Sequence, residues 1–365
     1  MDYALISPRN GEVLRQAGPD FLTDGETTWP VVDGIPYLRD REPLRSAAVR
    51  ALEAGDVRSA RRHLLADQDR FSPTAPPDRE AIDRATGAGH SLRETMVLLN
   101  YGPVGDYFAY RWCSPTFTGG LYMLECTPPH LPVIEVACGI GHFLRALEAT
   151  GRRTVGVDIV WSKLWLARHF LDVRGLLVCG DIEEGPVLRT AEPHTVFCHD
   201  AFYFFARKPT VLTHLRQLRQ GGSLAVGHIH TRSSAHGAGF AESRADYANL
   251  TQASVRDDVY YVRGWYGQEL GAPSGSPTAV GWIEGETDHQ PIDWSDPSGG
   301  VELQPNPLLG QGEIRWPSTA WAREYAEDSR ALNGLSVNDL LHRPPPATRA
   351  DRYRQRYLIN LPDRW

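Results

Sequence analysis

The stretch VIEVACGIGHF, Val133 to Phe143, decides how the chain folds. Val133 to Cys138 is an apolar run broken by one acid, Glu135, and a run of this length bounded by small residues reads as a buried strand. Ala137-Cys138-Gly139-Ile140-Gly141 is a small-residue turn, and FLRALEAT behind it has helical spacing. Small residues are needed where a strand passes into a helix and a ligand must come close to the backbone.

The pattern repeats outward from that turn. TVGVDIV (Thr154–Val160) is a second strand and SKLWLARHFLDV a second helix. GLLVCGDI, HTVFCHDAFYFF and GGSLAVGHIHT supply three more strands, with the helix THLRQLRQ before the last. Strands alternating with helices at this spacing predict an α/β fold with a doubly wound, mostly parallel, Rossmann-like sheet over residues 131–231. Upstream, residues 1–42 read as a small β module, WPVVDGIPYLRD supplying a short strand and a tight turn. Residues 43–130 read as a helical segment, with YGPVGDYFAYRWCSPTF between its helices and the sheet. Residues 232–365 read as an irregular, β-rich extension that completes the fold and caps the substrate. There DDVYYVRGWYGQEL and TAVGWIEGE are expected as strands, EIRWPSTAWAREYAEDSRAL as a cap and helix, RPPPATRADRYR as an extended connector and RYLINLP as a terminal strand.

Composition bounds the function. The chain has 365 residues, 41% hydrophobic and 23% charged, enough for a real core. Mean hydropathy is −0.37, and no run approaches the roughly 18 apolar residues of a membrane helix. The first residues lack the basic and apolar regions of a secretory signal, so a cytoplasmic protein is expected. Thirty-eight basic residues against 45 acidic ones give a net charge of −7, which counts against RNA or DNA as the substrate, because phosphate contacts call for a basic excess. The five cysteines show no paired spacing, so free thiols are expected and no metal.

Asp158 lies 17 residues beyond Gly141 (158 − 141); an acid at the end of the second strand can take both hydroxyls of a ribose. With the third strand ending in Gly180-Asp181-Ile182 and the fourth in His199-Asp200, the region Val133 to Thr231 resembles the class I S-adenosylmethionine-dependent methyltransferases. Glu135, Ala137, Gly139 and Gly141 match that family's first motif, with Ala in place of its first Gly. The resemblance implies S-adenosylmethionine as cofactor, with Glu135 accepting from the methionine ammonium and the turn Ala137, Cys138, Gly139, Gly141 lying beneath the amino acid and ribose. It further implies Asp158 on the ribose hydroxyls, Ile159 against the adenine, Asp181 with the Ile182 backbone at the adenine amine, and His199 and Asp200 beside the sulfonium. The loop after Asp158, IVWSKLWLAR, is two residues longer than the family pattern. LISPRNGEVL with WPVVDGIPYLRD resembles a Trm112-like module, here without a cysteine and so metal-free. The resemblance also implies that YGPVGDYFAYRWCSPTF, at the end of residues 43–130, folds over the cofactor as a lid, where Tyr107 or Arg111 could reach the cofactor carboxylate, Arg by its bidentate fork; pairing of Arg111 at a domain interface is the alternative.

Histidines supply the hints of acid–base work. His199 follows the fourth strand, and His228 and His230 end the fifth on one face. His199, His228 and Tyr203 are the candidate catalytic residues, Tyr203 lying in an aromatic run (Phe202 to Phe205) that could line an acceptor site or simply pack. His142 is expected to pack beside the cofactor. Ten tryptophans, among them Trp265, Trp282, Trp294, Trp316 and Trp321 with Tyr266 alongside, could cap the acceptor or form the core of the extension. The expected activity is methyl transfer to oxygen, nitrogen or carbon of a small molecule, as in secondary metabolism. Other uses of the sulfonium, and a non-catalytic cofactor-binding partner protein, are the alternatives. The module or the extension could hold a homodimer together.

Overall fold

Side chains along a strand alternate in direction, and here the alternation sorts the core into two layers. In the computed structural model, which describes residues 3–265, 277–285, 287, 289–290, 292, 294, 304–308, 314–325 and 358–365, the central strands are β1 (Val133–Val136), β2 (Thr154–Asp158), β3 (Leu176–Cys179), β4 (Thr195–His199), β5 (Ser223–His230), β6 (Arg256–Asp257) and β7 (Ala279–Glu284). Val133, Leu177, Phe197 and Ala225 face a layer containing Leu121, Phe143, Leu147 and Trp161. Ile134, Val155, Val196 and Leu224 face the other, with Val211, Leu215 and Trp282. Both faces are covered, which is why β1, β2, β4 and β5 are buried throughout.

The sheet runs β6-β7-β5-β4-β1-β2-β3. β1 to β5 are parallel, and β7 is antiparallel to both β5 and β6. The order reverses between β1 and β4, so the crevice at their carboxyl ends is where a ligand belongs in such a sheet. The doubly wound expectation holds, as does a strand in TAVGWIEGE. A helix starts in STAWAREY, Thr319–Tyr325, with the Ser318 hydroxyl accepting from the Trp321 N–H at 3.1 Å. Leu358–Ile359 of RYLINLP pairs with Gln304–Pro305. The connector RPPPATRADRYR and Tyr266 lie outside the described residues.

One expectation is corrected. DDVYYVRGWYGQEL is not a strand over its described part: Arg256–Asp257 is β6, and Asp258–Trp265 is a helix. Asp258, Tyr261, Val262 and Trp265 are its buried residues, a three- and four-residue spacing that turns one stripe toward the helix Pro115–Glu125. The two helices approach so closely that a Cβ on Gly264 would stand 2.2 Å from the Tyr122 ring.

The N-terminal residues form a four-stranded antiparallel sheet, Arg15–Gly18, Phe21–Thr23, Thr28–Val32 and Ile35–Pro36. Its last turn places Asp33 and Gly34 at positive φ, 52° and 72°. The unit then covers the free edge of the main sheet: Tyr37 pairs in parallel with Cys179 of β3, and Leu38 N–H donates to the Cys179 carbonyl at 2.6 Å. An exposed edge would invite pairing with other chains. Asp33 fastens the unit, accepting from Arg61 Nε and Nη2 at 2.6 and 2.7 Å and from Trp165 Nε1 at 3.1 Å.

Burial raises the Asp33 carboxyl, but the Arg61 and His169 contacts outweigh it and hold it below the ordinary value. A depressed carboxylate contributes stability above its unfolded pKa, near 3.9, and loses it as pH falls toward the folded value. Asp33→Asn should therefore cost roughly 2 kcal/mol at neutral pH, on the order of one or two hydrogen bonds to a charge, and less near pH 3; chemical denaturation at the two pH values reads the difference.

Candidate active site

Everything expected to touch the cofactor, Gly141 excepted, lines one cavity of about 470 Å³ over the carboxyl ends of β1, β2, β3 and β4: Tyr107, Arg111, Glu135, Ala137, Cys138, Gly139, Asp158, Ile159, Asp181, Ile182, His199 and Asp200. Gly141 sits behind the turn; a Cβ there would stand 3.1 Å from Val173 and 3.2 Å from Ala167, so it serves helix packing. Its φ of +84° opens the helix His142–Ala149. Gly139, at φ +56°, faces the Phe108 ring, which a Cβ would approach to 3.0 Å. The Gly139 N–H donates to Asp158 Oδ2 at 2.8 Å, and Val160 N–H to Asp158 Oδ1 at 2.9 Å. The β1 turn is thus tied to the end of β2, which keeps the Asp158 carboxylate at the cavity wall despite the longer loop behind it.

Glu135 points into the same layer as its register partner Phe197 on β4. It is buried, and its Oε2 has no hydrogen-bond partner. Burial pushes the carboxyl well above its ordinary value; Arg111 pulls it down and Asp158 pushes it further up. An orphaned carboxylate oxygen beside a bare glycine turn fits a cationic group carried on a flat, close-lying ligand.

Arg111 is the centre of the second cluster. Its Nη1 donates to Asp200 Oδ2 at 2.7 Å and its Nη2 to His199 Nδ1 at 2.9 Å. The Tyr107 hydroxyl donates to Asp200 Oδ2 at 2.7 Å, and that of Tyr203 to Oδ1 at 3.0 Å. Burial would raise Asp200, yet His228, Arg111 and His230 outweigh it and keep it ionised. Burial, followed by Arg111 and His228, drives His199 well below its ordinary value. His199 is accordingly neutral with its Nδ1 lone pair engaged by Arg111, so it orients the guanidinium. His142 is also neutral, pushed down to about 3 chiefly by burial, and its Nε2 is bonded to the Phe108 carbonyl at 2.8 Å.

Tyr203 lines the cavity and His228 does not: His228 is sealed beneath it, its Nδ1 2.9 Å from Asp258 Oδ2. Of the tryptophans, Trp265 and Trp282 are core, Trp294 is buried against Glu125, and Trp321 reaches the cavity wall beside Ser318. Sequence reasoning missed Phe108, Lys163 and Asp69. Lys163 lies 3.8 Å from both Asp158 Oδ1 and Asp69 Oδ2; its place one turn into the helix after β2 was the available signal. Phe108 adjoins Tyr107 in the same segment, which was its signal; for Asp69 the sequence carries none.

Residues 134–226 match the family model described as "Methyltransferase domain". The chain carries a class I methyltransferase domain. A domain of this description implies S-adenosylmethionine as cofactor and methyl transfer as reaction. Among solved structures the chain is similar to a complex between the Haloferax volcanii Trm112 methyltransferase activator and a methyltransferase (16% identity, 55% of this chain and 99% of that chain, TM-score 0.37). It is also similar to an S-adenosylmethionine-dependent methyltransferase of Thermotoga maritima (16%, 50% and 92%, 0.35) and to a TehB-like one of Corynebacterium glutamicum (14%, 46% and 87%, 0.37). No curated protein matches the chain in sequence.

Removing Arg111 takes from the buried Asp200 its ion-pair partner. Arg111→Met should lower stability by roughly 3–5 kcal/mol, and adding Asp200→Asn should recover a large part of that loss. A double-mutant cycle by denaturant titration measures the coupling; additive effects would show that the pair is not a unit.

Proposed function

We propose that this methyltransferase acts on a small-molecule acceptor in the cytoplasm, and that the residues gathered at the crevice divide into a cofactor half and an acceptor half. What supports this most directly is the cavity itself. Its volume lies in the range of small-ligand sites, and segments from before and after the sheet, Phe71 and Phe108 on one side and Ser318 and Trp321 on the other, line it. A macromolecular acceptor would call for a wider mouth and, for a nucleic acid, a basic surface that a net charge of −7 does not favour.

S-adenosylmethionine, when bound, supplies an electrophilic methyl group on a cationic sulfur. In this reading Glu135 holds the methionine ammonium, Asp158 the ribose hydroxyls, and Asp181 with the Ile182 backbone the adenine, Ile159 packing on its face. Tyr107 and Arg111 close over the amino-acid end, and Arg111 exchanges part of its hold on Asp200 for the carboxylate. Tyr203 and Asp200 face the acceptor, and the Tyr203 hydroxyl, bonded to a carboxylate, is placed to pass on a proton. Alignment in an enclosed site can lower a displacement barrier by roughly 7–11 kcal/mol, so a good nucleophile needs little else.

The assay that tests the acceptor class supplies methyl-labelled cofactor with fractionated small-molecule extract. S-adenosylhomocysteine and a labelled small product are expected; label in protein or RNA alone, or release of methylthioadenosine, would contradict the reading.

Glu135 gives a second test. With its carboxyl raised by burial, a proton competes with the cofactor ammonium, so affinity should rise with pH until Glu135 is ionised in the free protein, and binding below that point should release a proton. Calorimetry in buffers of different ionisation enthalpy detects that proton. Glu135→Gln should abolish the release and weaken binding about 10–100-fold, the worth of one charged hydrogen bond.

A further inference from the structure

Beneath the Tyr203 side of the cavity, Asp200, His228 and His230 converge. Their ligand-type atoms lie within 4.8 Å of one another, and all three residues are buried. His228 Nε2 stands 4.0 Å and His230 Nε2 3.9 Å from the same oxygen, Asp200 Oδ1. No metal is expected from the sequence, because the cysteines show no paired spacing.

The outer contacts set the chemistry of the two rings. His228 Nδ1 meets the carboxylate of Asp258 at 2.9 Å. A carboxylate can only accept there, so Nδ1 carries a proton and Nε2 is the ring atom turned toward Asp200. That is the arrangement by which a ligating imidazole is oriented and made more basic. His230 Nδ1 is bonded to Ser234 Oγ at 3.0 Å, and its ring is stacked on His236 at 4.4 Å between centroids. Both ring planes are therefore held from behind.

The backbone shows the same convergence. Asp200 and His228 have φ of 58° and 45°, and the pairing of β5 with β7 shifts register between Val226 and Ile229. Non-glycine residues in the left-handed region are uncommon and gather at functional sites. Charge is compatible: Asp200 and Asp258 contribute two negative charges, and Arg111, on the far oxygen of Asp200, one positive.

We propose that Asp200, His228 and His230 form a binding site for a divalent first-row transition metal ion, with Asp258 as the outer partner of His228. Two imidazole nitrogens and one carboxylate oxygen suit zinc or iron(II) and disfavour magnesium. Ligand bonds of about 2.0–2.2 Å place neighbouring donors roughly 3.0–3.5 Å apart, so donors that now lie up to 4.8 Å apart draw together by roughly an ångström to complete the site. Because Asp200 and Tyr203 also line the cavity, the ion lies directly behind the acceptor wall.

The test uses the full chain stripped with chelator, then titrated with zinc by calorimetry and with cobalt(II) by visible absorption. One equivalent of zinc should bind at micromolar affinity or tighter, raise the thermal midpoint and give a cobalt spectrum, with no comparable effect of magnesium. His230→Gln should lose all three responses. Asp258→Asn, whose carboxylate lies outside the ligand set, should keep the site but weaken it about 10–100-fold, and it decides the matter if His230→Gln fails to fold. Failure of the parent protein to bind zinc, or equal binding by parent and variants, overturns the assignment.

Discussion

The guanidinium of Arg111 and the carboxylate of Asp200 meet at 2.7 Å with both side chains out of water. Two charges are buried there at a cost that only close geometry and further hydrogen bonds can offset, and the structure supplies them from three directions. Tyr107 comes from the segment before the sheet, His199 from the end of β4, and Tyr203 from the turn after it. The pair therefore does more than join two residues. It fixes the helical lid over the crevice at the point where the strand order reverses, while Arg111 pulls the Glu135 carboxyl down against burial and adds to burial in holding His199 below its ordinary value.

From that cluster the rest of the site follows in order. The Gly139 N–H ties the β1 turn to Asp158, and Phe108 lies against the bare glycine. Glu135 waits with one oxygen unmatched. A site assembled in this way holds a negative potential where a cationic ligand would lie and an ordered, partly aromatic wall opposite it. The N-terminal unit contributes at one remove, by covering the β3 edge and bracing, through Asp33 and Arg61, the helices that lead to the lid.

How much of this could be read beforehand depended on whether the signal was local. The strand–turn–helix at Val133 to Phe143 declares itself because backbone approach, burial and helix initiation all act within eleven residues (133 to 143). Asp158 and Asp181 were legible for the same reason, each ending a strand. The helix Asp258–Trp265 was misread because Val259, Tyr260, Tyr261 and Val262 have strand propensity, while the burial that decides the matter comes from a partner helix more than a hundred residues earlier. Asp69 could not be placed, since only the path of the chain over the crevice brings it there. The roles of the histidines divided along the same line. Their common face on β5 followed from strand period, but that His199 is engaged by Arg111 and His228 by Asp258 is a fact of tertiary structure.

The account stands or falls on what occupies the crevice between β1 and β4. Calorimetric titration of the full chain with S-adenosylmethionine and with S-adenosylhomocysteine measures this directly. The arrangement of Glu135, Gly139 and Asp158 predicts that both bind at one site per chain with micromolar affinity. Absence of binding by either would contradict the account and leave the buried carboxylate without a partner.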